Sequence, residues 1–295
     1  MTHGATAAEE RPITPAEALR YAQAMCTAAG SETPRLDGEV LLRHVLGIDR
    51  TTLYARMNET MSAEQAATFL TLLGRRVAGD PVAYLTGYKE FMGLGFGAGA
   101  GALVPRPETE LLVEWALGWL AEHPGSTVVD VGTGPGTIAL SVAALTPLAA
   151  GVSVIGVDVS AEALRWAAGN RRGLGLEDRG ALREGDLLSG MEDASVDLVL
   201  ANLPYLTPQQ VQENPWLAME PELALLGGED GMALVRRLIA DLPRVLRRGG
   251  AVGLEVDPSQ VAETSQLLSG ALPGAVVTVI RDLAGFERHV TATTQ

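Results

Sequence analysis

Apolar residues recur at helical spacing through the first 80 positions and then give way to alternating strand and helix patterns. Thr14-Pro15-Ala16-Glu17 has the form of a capping box with proline in the first turn, and Ala18, Leu19, Ala22 and Met25 then trace one helical stripe. Leu36 to Leu46 reads as a second helix. Ser62-Ala63-Glu64-Gln65 opens a third, with Phe69, Leu70, Leu72, Leu73 and Val77 inside it. No acid, base or nucleophile cluster occurs in this stretch, so a small packing or recognition bundle is expected. Phe91-Met92-Gly93-Leu94-Gly95-Phe96 then predicts a hairpin.

After Pro105 the pattern predicts a helix over 108–120, strands near 127, 153 and 182, and a strand ending at Ala201. A helix over 231–246, a strand over 250–256 and a helix over 258–269 follow. That order is the signature of a doubly wound α/β sheet. Runs at 275–280 and 287–292 flank Gly285 and suggest an antiparallel pair. The longest apolar stretch, Ala139 to Val157, is interrupted by Pro147, Gly151 and hydroxyl residues, so it reads as a helix followed by a strand and not as a membrane span. No internal repeat is present, and the only biased tract is a glycine-alanine patch at 97–102.

Composition narrows the class. With 295 residues, 47% of them hydrophobic, the chain can bury the core of one large domain or two smaller ones. A single cysteine, Cys26, excludes an intramolecular disulfide, and no signal-peptide pattern occurs from Met1 to Thr14, so a cytoplasmic location is expected. Four scattered histidines show no ligand spacing, so no metal site is expected; Cys26 and His44 should pack in or near a helix core. The formal net charge is −14: through Asp80 the chain carries 8 basic and 10 acidic residues, and beyond it 14 and 26. A surface of that sign repels nucleic-acid phosphates, which makes a basic protein the easier partner.

Two segments carry candidate chemistry. Val128-Val129-Asp130-Val131-Gly132-Thr133-Gly134-Pro135-Gly136 reads as a buried strand running into a glycine turn and a helix start, the order of a nucleoside-cofactor site. The Gly-x-Gly-x-Gly spacing is one residue short of the dinucleotide fingerprint, and Asp130 suits a ligand with a cationic amino group, directly or through water. A β-branched run from Val152 delivers Asp158 where a second strand should present a carboxylate to ribose hydroxyls. Further on, an apolar strand ends in Asn202-Leu203-Pro204-Tyr205. The Asn202 amide oxygen and the Leu203 carbonyl are two acceptors at a strand tip, and Pro204 biases Leu203 toward extended geometry, an arrangement suited to holding an NH2 group.

These motifs, with Pro81-x-x-Tyr84-x-x-Gly87, Phe91, Val104-Pro105-Arg106-Pro107-Glu108-Thr109-Glu110, Glu184-Gly185-Asp186-Leu187, Glu220-Pro221-x-x-Ala224-Leu225-x-Gly227-Gly228-x-Asp230-Gly231 and Asp282-Leu283-x-Gly285-x-x-Arg288, run over nearly the whole chain. Together they resemble the protein-glutamine methyltransferases that modify class-1 peptide chain release factors, within the S-adenosylmethionine-dependent Rossmann-like methyltransferases. The Pro-Arg-Pro-Glu-Thr-Glu and Glu-Pro-x-x-Ala-Leu blocks are the most restricted part of the match. Two positions depart from the family pattern. Leu203 replaces the first proline of Asn-Pro-Pro-Tyr, which also gives the tetrapeptide of ribosomal-RNA adenine dimethyltransferases, and Glu255-Val256-Asp257 lacks the usual glycine.

The resemblance implies a Rossmann-like, mostly parallel seven-stranded sheet. It divides the chain into a helical substrate-recognition domain over 1–85, a hairpin linker over 86–105 and a methyltransferase domain over 106–295. It implies that Gly132, Thr133, Gly134, Pro135 and Gly136 receive the methionine portion of S-adenosylmethionine, that Asp130 and Asn202 also contact the cofactor, that Asp158 takes the ribose, and that Asp186 and Leu187 border the adenine. Asn202, Leu203 and Pro204 would hold the substrate amide and Tyr205 would wall its flat face. The expected partner is a class-1 release factor met by a monomer that contacts neither nucleic acid nor membrane. An adenine-amino methyltransferase acting on ribosomal RNA and a catalytically silent cofactor-binding adaptor are the alternatives; a dehydrogenase fits neither the glycine spacing nor the Asn-Leu-Pro-Tyr pocket.

Overall fold

Thr14 caps the first helix as the sequence predicts: its hydroxyl accepts from Glu17 N while Glu17 Oε2 accepts from Thr14 N. Ser62 and Gln65 repeat the reciprocal arrangement at the third predicted helix. A computed structural model of the chain describes residues 13–295. These fall into two units, one running to Thr86 and the other spanning Gly87–Gln295. The first holds α1 (Pro15–Ala28), α2 (Pro34–Leu46), α3 (Arg50–Ala55), α4 (Ala63–Val77) and α5 (Val82–Thr86). Ala22, Cys26, Leu41, Leu42, Leu53, Phe69 and Leu73 form its core. Cys26 is buried, whereas His44 lies on the solvent face of α2, because the 3.6-residue period that buries Leu41 and Leu42 turns His44 outward.

The second unit begins with the predicted hairpin, β1 (Tyr88–Phe91) paired antiparallel with β2 (Leu94–Gly97). The rest alternates: α6 (Glu110–Glu122), β3 (Thr127–Val131), α7 (Thr137–Leu145), β4 (Ser153–Asp158), α8 (Ala161–Gly173), β5 (Ala181–Glu184), β6 (Val196–Asn202), α9 (Pro208–Glu213), α10 (Ala233–Val245), β7 (Leu246–Glu255), α11 (Val261–Ala271), β8 (Val276–Arg281) and β9 (Glu287–Thr293). The seven strands β3–β9 form one sheet in the order β5-β4-β3-β6-β7-β9-β8, parallel except for the pairings of β9 with β7 and β8. This is the Rossmann-like architecture the sequence predicts.

Both faces of the sheet are buried, which is why its central strands read as continuous apolar runs. Val128, Leu198, Leu200 and Ala251 pack under Leu112, Val113 and Ala116 of α6 and Leu140 of α7. Val129, Val131, Val199, Ala201, Val252 and Leu254 pack on the other face against Leu238, Ile239 and Leu242 of α10 and Leu268 of α11. The apolar stretch 139–157 does divide into a helix and a strand, and among the described residues no helix is long and apolar enough to cross a membrane. Missing the usual glycine, the segment after Glu255 turns by another device: Asp257 accepts from Ser259 N and Gln260 Oε1 accepts from Asp257 N, opening a short 3-10 turn ahead of α11.

Candidate functional site

The parallel strands β4, β3 and β6 end side by side, and a cavity of about 500 Å³ opens there, in the size range of small-molecule sites. Its floor is the glycine turn after β3. The Gly132 and Thr133 amides donate to Val157 O at 2.8 and 2.9 Å, fastening the turn to the neighbouring strand. Gly132, Thr133, Gly134 and Pro135 line the cavity. Gly136 does not: it serves as the N-cap of α7, and the Pro135 carbonyl before it accepts from Asn170 Nδ2 at 2.9 Å.

Asp130 lies beneath this floor and not on the cavity wall. Its Oδ2 accepts from Thr133 Oγ1 at 2.6 Å and from Ala139 N at 3.0 Å, so it joins the turn to the first turn of α7. Its Oδ1 is buried with no hydrogen-bond partner. Burial pushes the Asp130 carboxyl up to about 7, a rise opposed by those two donors and reinforced by the charge of Asp158. A fully buried carboxylate with an unmet oxygen is a site that a ligand cation or a bridging water would satisfy. Because Asp130 lies below the floor, it suits a cationic amino group in the cavity through a bridging water.

Asp158 ends β4 at the cavity wall. Its two oxygens accept from Gly134 N and Ser160 N, each at 2.8 Å, and each keeps a further lone pair. Asp186 and Leu187, just after β5, line the same wall. Asp186 is ion-paired to Arg237 at 2.6 Å, and Leu187 is held at φ +51, a left-handed backbone costly for a branched residue.

At the end of β6, Asn202, Leu203 and Pro204 line the cavity. The Asn202 amide is fixed from outside its own strand: Nδ2 donates to the hydroxyl of buried Thr109 at 3.0 Å, leaving Oδ1 as the amide's acceptor face. Tyr205 does not line the cavity. Burial pushes its phenol up to about 12, with Glu255 adding to the rise and Arg288 and Arg106 opposing it, so the phenol stays neutral. The loop that follows clasps this tetrapeptide. Gln260 Nε2 donates to Tyr205 O at 2.9 Å, Leu206 and Leu226 form a parallel bridge, and Gly231 at φ +74 approaches so closely that an added Cβ would stand 2.1 Å from Tyr205 O.

Several long-range contacts shape the site, and hydrophobic periodicity signals none of them. Glu220, nearly buried, accepts from Val104 N at 3.0 Å and pairs with Arg106, tying the Glu-Pro block to the Pro-Arg-Pro-Glu block across more than a hundred residues. Thr109 and Glu110 read as a helix start, yet Thr109 orients Asn202 and Glu110 accepts from Met92 N in the hairpin turn. Asn170 accepts from Gly97 N while holding Pro135. The glycine-alanine patch is likewise structural to the site: Trp166 Nε1 donates to Ala100 O, and Gly101 and Ala102 line the cavity. Among the described residues, no group of three His, Cys, Asp or Glu side chains could hold a metal ion.

Comparison with known proteins agrees with this geometry. Residues 17–87 match the family described as the PrmC N-terminal domain, and residues 122–268 match a methyltransferase domain. The chain is 38% identical over 292 residues to the release factor glutamine methyltransferase of Rhodopirellula baltica, covering 96% of this chain and 97% of the relative. It is 37% identical over 273 residues to the release factor glutamine methyltransferase of Moorella thermoacetica, covering 92% and 95%. A methyltransferase structure from Pyrococcus furiosus, 17% identical, shares the fold at a TM-score of 0.51 over 79% of this chain and 98% of its own.

Proposed function

Because the chain belongs to the release factor glutamine methyltransferase family, we propose that it transfers a methyl group from S-adenosylmethionine to the side-chain amide nitrogen of the glutamine in the Gly-Gly-Gln motif of class-1 peptide chain release factors. The observation that carries the reading is Asn202 at the cavity wall with its amide oriented by Thr109. The cofactor, when bound, supplies a methyl group on a cationic sulfur. In this reading Gly132, Thr133, Gly134 and Pro135 receive its methionine end with Asp130 behind them, Asp158 takes the ribose hydroxyls, and Asp186 and Leu187 border the adenine.

A glutamine amide nitrogen is a poor nucleophile because its lone pair is delocalised into the carbonyl. Asn202 Oδ1 and Leu203 O would accept from the two N–H groups, aiming the nitrogen and favouring localisation of its lone pair. Orientation of this kind contributes up to ~7 kcal/mol or more, against ~1 kcal/mol for a net hydrogen bond, so placement dominates over proton abstraction. Tyr205, whose phenol is held well above neutral pH, is no base in this scheme; it backs the pocket, and the proton leaves to water after the methyl has moved. Residues 1–85 would serve as the substrate-recognition domain and 86–105 as the linker to the methyltransferase domain, 106–295. The chain would act as a monomer on a protein, and its net charge of −14 supports a substrate other than nucleic acid.

The test is to incubate the purified protein with labelled S-adenosylmethionine and either a release factor or ribosomal RNA, and to locate the methyl by mass spectrometry. Label on the Gly-Gly-Gln glutamine is the expected result. Label on RNA adenine, or cofactor binding with no transfer to the factor, would overturn it.

A further inference from the structure

The turn between β8 and β9 presents apolar side chains to solvent from an unusually well-built scaffold. Leu283 is 98% exposed and Phe286 57% exposed. Just before them Asp282, itself 8% exposed, organises the loop: its Oδ1 accepts from Ala284 N and Phe286 N, both at 2.9 Å, and its Oδ2 pairs with Arg288. Asp282 N donates to Phe286 O at 2.8 Å, and Arg281 Nη1 reaches Gly285 O. Single exposed apolar residues are ordinary on protein surfaces. Two of them held by a buried carboxylate and five hydrogen bonds in a fixed turn form a preorganised contact, whose ordering cost is met before any partner arrives.

The position of the turn identifies what it meets. Asn202 is level with Glu255 of β7, Glu255 with His289 of β9, and His289 with Ile280 of β8. The turn 282–286 thus projects from the same end of the sheet as the cavity. It stands two to three strand spacings to the side of Asn202, roughly 10–15 Å. A short reactive loop entering at Asn202 from a folded protein would bring that protein's surface over the turn. The charges around it are already matched, Arg281 with Glu287 and Arg288 with Asp282, which leaves apolar contact as the chemistry on offer.

We propose that the Asp282–Phe286 turn is a docking element for the folded protein that presents the acceptor glutamine, with Leu283 and Phe286 as its anchors; the proposal rests on the glutamine-methyltransferase reading above. The test compares the unmodified protein with L283S/F286S, using an intact class-1 release factor as substrate. Cofactor affinity by calorimetry and thermal unfolding are followed in parallel. The expected result is a KM for the factor raised roughly tenfold, as for loss of an apolar anchor pair, with kcat, cofactor affinity and unfolding temperature unchanged. An unchanged KM in the variant, while the unmodified protein methylates the factor, overturns the docking role alone. So does a shift in sedimentation from dimer to monomer without a KM change, which would make the turn a self-association surface. Loss of kcat together with unfolding temperature would show a structural role and also overturn it. If the unmodified protein fails to methylate the factor at all, the glutamine reading itself falls and takes the docking role with it.

Discussion

Asp130→Asn separates the structural and ligand-facing roles of the carboxylate under the glycine turn. In the native protein Oδ2 accepts from Thr133 Oγ1 and Ala139 N, and Oδ1 is buried without a partner. An asparagine oxygen can keep both hydrogen bonds while its NH2 occupies the orphan position. Burial raises the native carboxyl from an ordinary 3.8 to about 7. Between those values the folded chain binds more protons than the unfolded one, so the native stability contribution is full below 3.8 and is lost as pH rises through about 7. Converted to free energy, that rise amounts to at most about 4 kcal/mol. The unfolding free energy of the variant relative to the native protein should therefore be near zero at pH 4 and climb by up to about 4 kcal/mol at pH 8, measured by urea denaturation without cofactor. In calorimetry near pH 6.5 the native protein should release a proton on binding S-adenosylmethionine, while the variant releases none and binds more weakly. A difference in stability that stays flat from pH 4 to pH 8 would refute the burial argument.

Asn202→Ala should lower kcat roughly 100-fold by freeing the acceptor amide, with cofactor affinity little changed; equal loss of both in steady-state and binding measurements would mark Asn202 as a structural residue. Thr109→Val removes the acceptor for Asn202 Nδ2 at nearly constant volume, and the loss of about 1 kcal/mol of orientation should cost about fivefold in kcat, with KM for the factor as the control. Gly231→Ala places a Cβ 2.1 Å from Tyr205 O at φ +74, so it should destabilise the unit by ~2 kcal/mol or more, seen as a lower thermal midpoint together with reduced kcat.

The parts legible in the sequence are those set by local pattern. Capping boxes at Thr14 and Ser62, buried strands at Val128 and Val196, and the antiparallel pair around Gly285 each declare themselves through residues a few positions apart. Helix α8 is poorly signalled, because its core contacts are alanines, Ala163 and Ala167, with no large apolar stripe. Long-range polar fixtures are invisible to periodicity. Thr109 meets Asn202, Glu220 meets Arg106 and Val104, and Asn170 meets both Gly97 and Pro135, and in each case a capping or loop role accounts for the residue until the fold brings its partner in. Tyr205 illustrates the converse. Its neighbour Pro204 lines the cavity and Tyr205 does not, while the backbone carbonyl of Tyr205 is pinned by Gln260, a partner that no spacing rule specifies.

The same division bears on position 203, where leucine stands in place of the proline of the family pattern. In the proposed chemistry position 203 contributes a main-chain carbonyl, so what matters is where the backbone is held. Pro204 restrains it from one side through the conformation it imposes on its predecessor. From the other side the Leu203 side chain, 4% exposed, packs against the glycine turn; an added Cβ on Gly132 would stand 2.9 Å from Leu203 Cδ2. The ring that would have fixed φ is thus replaced by burial against the cofactor-side loop, and the following peptide is clasped by Gln260 and Gly231. Rigidity that proline supplies covalently is supplied here by packing, which links the acceptor carbonyl to the integrity of the glycine turn. A change at Gly132 should accordingly disturb the position of the Leu203 carbonyl as well as the floor of the cavity.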